Sequence, residues 1–348
     1  MRKTQYLLFI LAVVFSCKSP ETKDGKESAN TESSDSSRPN YSTTGNVERL
    51  DSEIDQLIPI DSKIEIIASG FDWSEGPLWL EVIDALIFSD VPQNRIWKWT
   101  EQDSLEIYLE PSGYFGNEEN KREPGSNGLV LDINGDLLLC QHGARQLAVM
   151  KSPIRNPSGN FVAIANQFEG KKFNSPNDLV INNNGGMYFT DPPYGLDEWD
   201  TKELDFQGVY FIDFRGNLSL QIDSLSRPNG IGLSPDEKSL FIAQSDPMKA
   251  RYYRYELDEN GNVFSGKIIF DVTNLVGEEN PGLPDGLAVH SSGNLFASGP
   301  GGILIISPEG KHLGTIKTGR ATSNCTFDFD EEYLYITADM DLLRIKLK

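Results

Sequence analysis

One pattern recurs six times along this chain: an oxygen-bearing residue, a small turn residue, a short apolar run, a Gly/Asn/Asp turn and a second apolar run. The copies begin at Glu75 in SEGPLWLEVIDALIFSD, Asn127 in SNGLVLDINGDLLLCQ and Asn177 in PNDLVINNNGGMYFTD. They continue at Asn229 in PNGIGLSPDEKSLFIAQ, Asp285 in PDGLAVHSSGNLFASG and Asn324 in SNCTFDFDEEYLYITA. The steps between these residues are 52, 50, 52, 56 and 39. A period of this size marks a unit that buries its apolar face only by stacking on its neighbours. Each copy holds two strands joined by a hairpin turn, and the residues left over, such as 208–225 and 251–272, suffice for a second hairpin. Four strands per unit, six units and no long amphipathic helix predict an all-β chain, a six-bladed β-propeller with a central channel. The last unit is one strand short, and KIEIIAS at 63–69 stands ready to supply it and close the ring.

The propeller is expected over residues 59–348. Ahead of it, Arg2 and Lys3 precede a short apolar stretch, Tyr6 to Phe15, that ends at Ser16 and Cys17. That stretch is too short to span a bilayer and has the order of a cleaved export signal. Val14-Phe15-Ser16-Cys17 looks like a loose bacterial lipobox, which makes residues 1–17 a signal and Cys17 a lipidation site; a plain secretory signal is the alternative. Either way the expectation is export to the cell envelope, with membrane contact only through a lipid anchor. Residues 18–58 are rich in Ser, Thr, Asn and acidic side chains, and predict a disordered polar tether. Cys140 and Cys325 sit inside strand-like runs and read as buried free thiols.

The formal net charge is −21, of which residues 59–348 carry about −19. Such a surface repels phosphate backbones and excludes nucleic acid as a partner, while favouring neutral or cationic ligands or a bound metal ion. In a propeller the six leading residues converge on the channel. All six carry side-chain oxygen and two are carboxylates, so they match a hard divalent cation, Ca²⁺ better than Zn²⁺ because no His or Cys joins them. The alternative for each single Asn is a turn cap copied with the repeat.

In order along the chain, SEGPLW, NSPNDLVI, YFTDPPYG, RPNGIGLSPDEKSLFIA and PDGLAVHSSGNLF resemble the SMP-30/gluconolactonase family. The likeness runs from about Ile64 to Leu347, and TDPPYGL with QHGAR is most similar to its bacterial gluconolactonase branch. It implies a six-bladed propeller that holds a divalent cation, often Ca²⁺, in its channel and hydrolyses sugar lactones or related esters. It also implies that Glu75, Asn229 and Asp285 are metal ligands, that Asn177 is a ligand or a substrate contact beside the ion, and that Asp285 transfers protons. Mg²⁺, Mn²⁺ and Zn²⁺ remain alternatives to Ca²⁺.

A lactone needs a polarised carbonyl and a delivered water, which a cation with open positions and a nearby carboxylate supply. Coordination lowers a carboxylate's basicity, so Asp178, beside Asn177, is a second candidate base. Asn127, His142 and Tyr194 are candidate substrate contacts, the last on the long TDPPYGLDEWD insertion. No G-x-S-x-G is present, which argues against a serine hydrolase. The expected reaction is hydrolysis of a sugar lactone such as glucono-1,5-lactone by a monomer. The rivals are another ester or phosphotriester hydrolase using the same ion, and a non-catalytic propeller that binds a sugar or a partner.

Overall fold

The computed structural model describes residues 40–116 and 122–348, so the signal, Cys17 and most of the tether lie outside the described residues. Among the described residues, six sheets of at least four antiparallel strands follow one another along the chain. Blade 1 runs from Ser74–Leu80 to Ser104–Leu109, blade 2 from Ser126–Leu131 to Phe161–Ala165 and blade 3 from Leu179–Ile181 to Leu218–Ile222. Blade 4 runs from Pro228–Leu233 to Val263–Asp271, and blade 5 from Leu287–Val289 to His312–Lys317. Blade 6 takes its inner three strands from the end of the chain, Asn324–Phe327 onward, and its fourth from Ile64–Ser69. That strand pairs with Asp341–Lys346 and closes the ring, as the short last repeat predicts.

The same local device makes many of the hairpins. Asp132 Oδ1 accepts from the backbone N–H groups of Asn134 and Asp136, at 2.8 and 2.9 Å. Asn182, Asp213 and Asp258 repeat the arrangement. Three residues on, Gly135, Gly185, Gly216 and Gly261 take φ of +82°, +82°, +85° and +86°, a region that glycine enters without steric cost.

The apolar core is divided among the boundaries between blades. Leu80, Ile87 and Leu139 pack blade 1 on blade 2; Cys140, Phe189 and Tyr210 join blades 2 and 3. Tyr188 with Ile242, and Phe241 with Leu304, do the same for blades 3 and 4 and blades 4 and 5. Ile303, Ile336 and Cys325 fill the boundary of blades 5 and 6, and Phe88, Trp99 and Tyr335 that of blades 6 and 1. Cys140 and Cys325 are buried free thiols, as expected. At the last boundary Arg344 of blade 6 is buried, bonds Glu65 Oε2 at 2.7 Å and reaches across to Glu101 Oε2 of blade 1 at 2.6 Å.

The expected tether requires a correction from residue 40 onward. Ser42–Thr44 adds a fifth strand to blade 6, alongside Ile64–Ser69, and Asn46–Arg49 adds one to blade 5, alongside His312–Lys317. Gly45 makes the crossing at φ +54°, where a Cβ would fall 1.7 Å from the carbonyl oxygen of Lys317. A 3₁₀ turn, Ser52–Gln56, follows, and Ile54, Leu57 and Ile58 join the core between blades 5 and 6. The mean polarity of 18–58 conceals this because the segment borrows hydrogen-bond partners from two sheet edges and brings only three core side chains. Ile58 is fully buried and Ile60 is 80% exposed. Ile58→Ala is therefore expected to lose about 2–5 kcal/mol in urea denaturation, and Ile60→Ala about 0.5 kcal/mol or less. Equal, negligible effects at both positions would return the segment to a tether.

Candidate active site

The six leading residues stand at the channel end of each blade's innermost strand, and in four of them the next residue explains how close they come. Gly76, Gly128, Gly230 and Gly286 succeed Glu75, Asn127, Asn229 and Asp285. A Cβ on Gly230 would lie 2.2 Å from the carbonyl oxygen of Asp285, and one on Gly286 would lie 1.9 Å from Asn324 Cγ. Only a missing side chain permits that approach. Backbone hydrogen bonds then link blade to blade around the axis: Gly128 N–H to Asn177 O at 2.8 Å, Gly230 N–H to Asp285 O at 2.9 Å, Gly286 N–H to Ser323 O at 2.7 Å. Hydroxyls from second strands add to the ring, Ser89 donating to Asn127 O and Thr190 to Asn229 O.

Five of the six side chains, Glu75, Asn127, Asn177, Asn229 and Asp285, line one cavity of ≈ 790 Å³ at a channel mouth. Asn324 does not join them. Its Oδ1 accepts from Cys325 N–H at 2.8 Å, its amide nitrogen stands 3.5 Å from Glu75 Oε2, and it lines a second cavity of ≈ 370 Å³ on the other side of that contact. Asp178 lines the second cavity too. It occupies the place in its repeat that glycine holds in four others, and its two oxygens accept from Leu179 and Ile231 N–H, at 2.9 and 3.4 Å. Burial pushes its pKa up to about 7. The structure thus separates Asp178 from the larger cavity and occupies its oxygens with backbone.

In the larger cavity the electrostatics are unbalanced. Glu75 is 3% exposed, accepts from Gly76 N–H at 3.0 Å, and burial together with the nearby carboxylates raises its pKa. Asp285 opens onto the cavity but is otherwise enclosed, and burial first, then Glu75, raises its pKa well above the usual carboxylate range. Asn229 donates its amide N–H to Ser245 Oγ at 3.1 Å, so its acceptor oxygen is the end left over. Asn127 Oδ1 is buried with no protein partner. Among the described residues no three His, Cys, Asp or Glu side chains gather as a metal cluster. The donor set here is two carboxylates plus amide oxygens, one of them orphaned, and that set suits a hard cation.

Tyr194 lines the cavity, hydrogen-bonds Ser245, and stacks edge-on against Trp199 with centroids 5.6 Å apart. His142 does not reach the wall. It is fully buried behind Asn177, with its Nε2 3.4 Å from Asn177 Nδ2. Glu123 and Ser245, both on the cavity, escape the sequence reading. Ser245 follows the end of its blade's second strand, Ser239–Gln244, and is not at the repeat position of Ser89 and Thr190, which is Ala243 in blade 4. Glu123 lies in a charged loop with no repeat to mark it.

Replacing Gly230 by Ala forces a methyl group onto the Asp285 backbone. The expected cost is about 1–3 kcal/mol of stability, with catalytic loss beyond what the unfolded fraction explains. A Gly230→Ala protein as stable and active as the parent would show that the close approach is dispensable.

The sequence profile described as SMP-30/Gluconolactonase/LRE-like region matches residues 73–339. A gluconolactonase from Zymomonas mobilis is 38% identical over 317 residues, which is 89% of this chain and 88% of its own length. The solved structure of a gluconolactonase from Xanthomonas campestris superposes with a TM-score of 0.77 at 26% identity, covering 89% of this chain and 98% of that one. Regucalcin from Agrobacterium tumefaciens, a calcium-binding protein, superposes at 0.64 with 15% identity over 81% and 94% of the two chains, a likeness of fold.

Proposed function

This chain belongs to the SMP-30/gluconolactonase/LRE-like family and is a lactone hydrolase, and on that premise we propose that it opens sugar lactones such as glucono-1,5-lactone with a divalent cation, Ca²⁺ foremost, in its larger cavity. The observation that carries the reading is the pair Glu75 and Asp285, two carboxylates on one cavity whose pKa values burial raises, beside the partnerless buried amide oxygen of Asn127. Such a pair without a cation is an unexplained cost; with one, it is a ligand set.

Glu75, Asn229 and Asp285 would hold the ion, with Asn177 beside them. Bound there, it would polarise the lactone carbonyl and make a water more acidic. The chain's own residues do the rest. Asp285, open to the cavity, takes a proton from the water as its oxygen bonds to the carbonyl carbon, and returns it to the ring oxygen as the ring C–O bond breaks. Asn127 offers an acceptor to a sugar hydroxyl. Tyr194, braced by Trp199 and tied to Ser245, presents a ring face and a hydroxyl to the substrate. The strongly acidic chain favours release of the anionic product. Asp178, placed in the other cavity, is not assigned a proton-transfer role.

Glucono-1,5-lactone hydrolysis, followed by acid release, is expected to stop on EDTA treatment and return with added Ca²⁺. Asp285→Asn is expected to lower kcat by about 10²–10⁴-fold. Undiminished turnover in EDTA, or in Asp285→Asn, would sink the mechanism. Export with lipid on Cys17 belongs to the same proposal, resting on the basic and apolar order of residues 1–17. Labelled palmitate should enter the wild type in a bacterial host and not Cys17→Ser; equal labelling would refute the anchor.

A further inference from the structure

We propose that Glu123 and His142 form a positioning relay that fixes which end of the Asn177 amide faces the cavity. The proposal rests on the reading that Asn177 presents an oxygen to the cation or the substrate.

An asparagine side chain is nearly symmetric in shape and opposite in chemistry at its two ends, so something must select its orientation. Asn177 is 3% exposed and its Nδ2 stands 3.4 Å from His142 Nε2. An Nε2 bearing a lone pair accepts from Nδ2 and turns Oδ1 away, toward the cavity. An Nε2 bearing a proton attracts Oδ1 instead and leaves an N–H pointing at the cation. The ring must therefore carry its proton on Nδ1, and Glu123 Oε2 lies 3.1 Å from that atom. A carboxylate has no proton to donate and only accepts, so it holds the proton on Nδ1.

The surroundings keep the ring where this logic applies. His142 is 0% exposed, its backbone N–H bonds Gly125 O at 3.0 Å, and its carbonyl accepts from Arg145 N–H at 3.0 Å. A Cβ on Gly195 would lie 2.6 Å from His142 Cβ, so the TDPPYGL loop closes on the ring through a glycine. Both the QHGAR and TDPPYGL segments thereby converge behind one amide. Glu123 itself reaches the cavity wall, its side chain 20% exposed.

Two measurements on the full chain test the relay. In protein labelled with ¹⁵N-histidine, long-range ¹H–¹⁵N correlation identifies the tautomer of His142, assigned by the signals missing from His142→Gln. The expected result is Nδ1–H in the wild type and a shift of population to Nε2–H in Glu123→Gln. An Nε2–H or doubly protonated ring in the wild type overturns the proposal whatever else is found. Calorimetric titration with Ca²⁺ alone then compares the wild type, Glu123→Gln, Asn177→Ala and the double variant. Glu123→Gln is expected to weaken Ca²⁺ binding about tenfold, with no further loss when Asn177 is already Ala. Unchanged binding in Glu123→Gln beside a wild type that binds, or additive losses in the double variant, would overturn the relay. A wild type that takes up no Ca²⁺ sinks the cation reading alone, and the tautomer result still decides the relay.

Discussion

Everything in this molecule depends on how near six strands come to one axis. At four of the six crossings glycine removes the only atom that would hold neighbouring backbones apart, and three of the freed N–H groups bond the next blade directly. At these crossings blade meets blade through main chain rather than through packed side chains. Side chains that lead into them have their directions set by backbone, which is the least adjustable part of a protein. A site built this way meets the demand for ligands placed in advance of the reaction.

The packing obeys the same logic. Each blade boundary has its own apolar cluster, so each joins only two neighbours, and only the axis couples all six. The buried carboxylates sit where coupling is greatest. Glu75 comes from blade 1 and Asp285 from the lead-in to blade 5, on either side of the blade that the first and last strands of the ring complete. Burial raises the pKa of both, and Glu75 adds to the rise at Asp285, a load that the fold carries at its axis.

Much of this was legible in the sequence because repeats copy their geometry. The period locates Glu75, Asn127, Asn177, Asn229 and Asp285, and the short last copy announces that Ile64–Ser69 returns to it. Periodicity assigns position better than direction. Asn324 holds an equivalent place yet turns into the other cavity, since Cys325 N–H and Glu75 claim its amide. Asp178 fails as a member of the larger site for a related reason: the N–H groups of Leu179 and Ile231 claim its two oxygens, and it lines the other cavity. His142 reads from sequence as a pocket wall and is instead the support behind one. Glu123, in a loop unique to its blade, has no repeat to betray it. The order in residues 40–58 is hidden because edge strands are held by partners that composition does not record.

The strap at residues 42–49 gives the ring a property that the inner strands alone would not. A hoop made from one chain has a joint, and here the joint is stitched twice, once by Ile64–Ser69 within blade 6 and again by two short strands lying across blades 5 and 6. Slack at that joint would spread the arc between Asp285 and Glu75 before any blade came apart. Clipping the chain near Gly45 would thus disarm the catalyst while leaving most of its sheets intact, so integrity of the rim doubles as calibration of the centre.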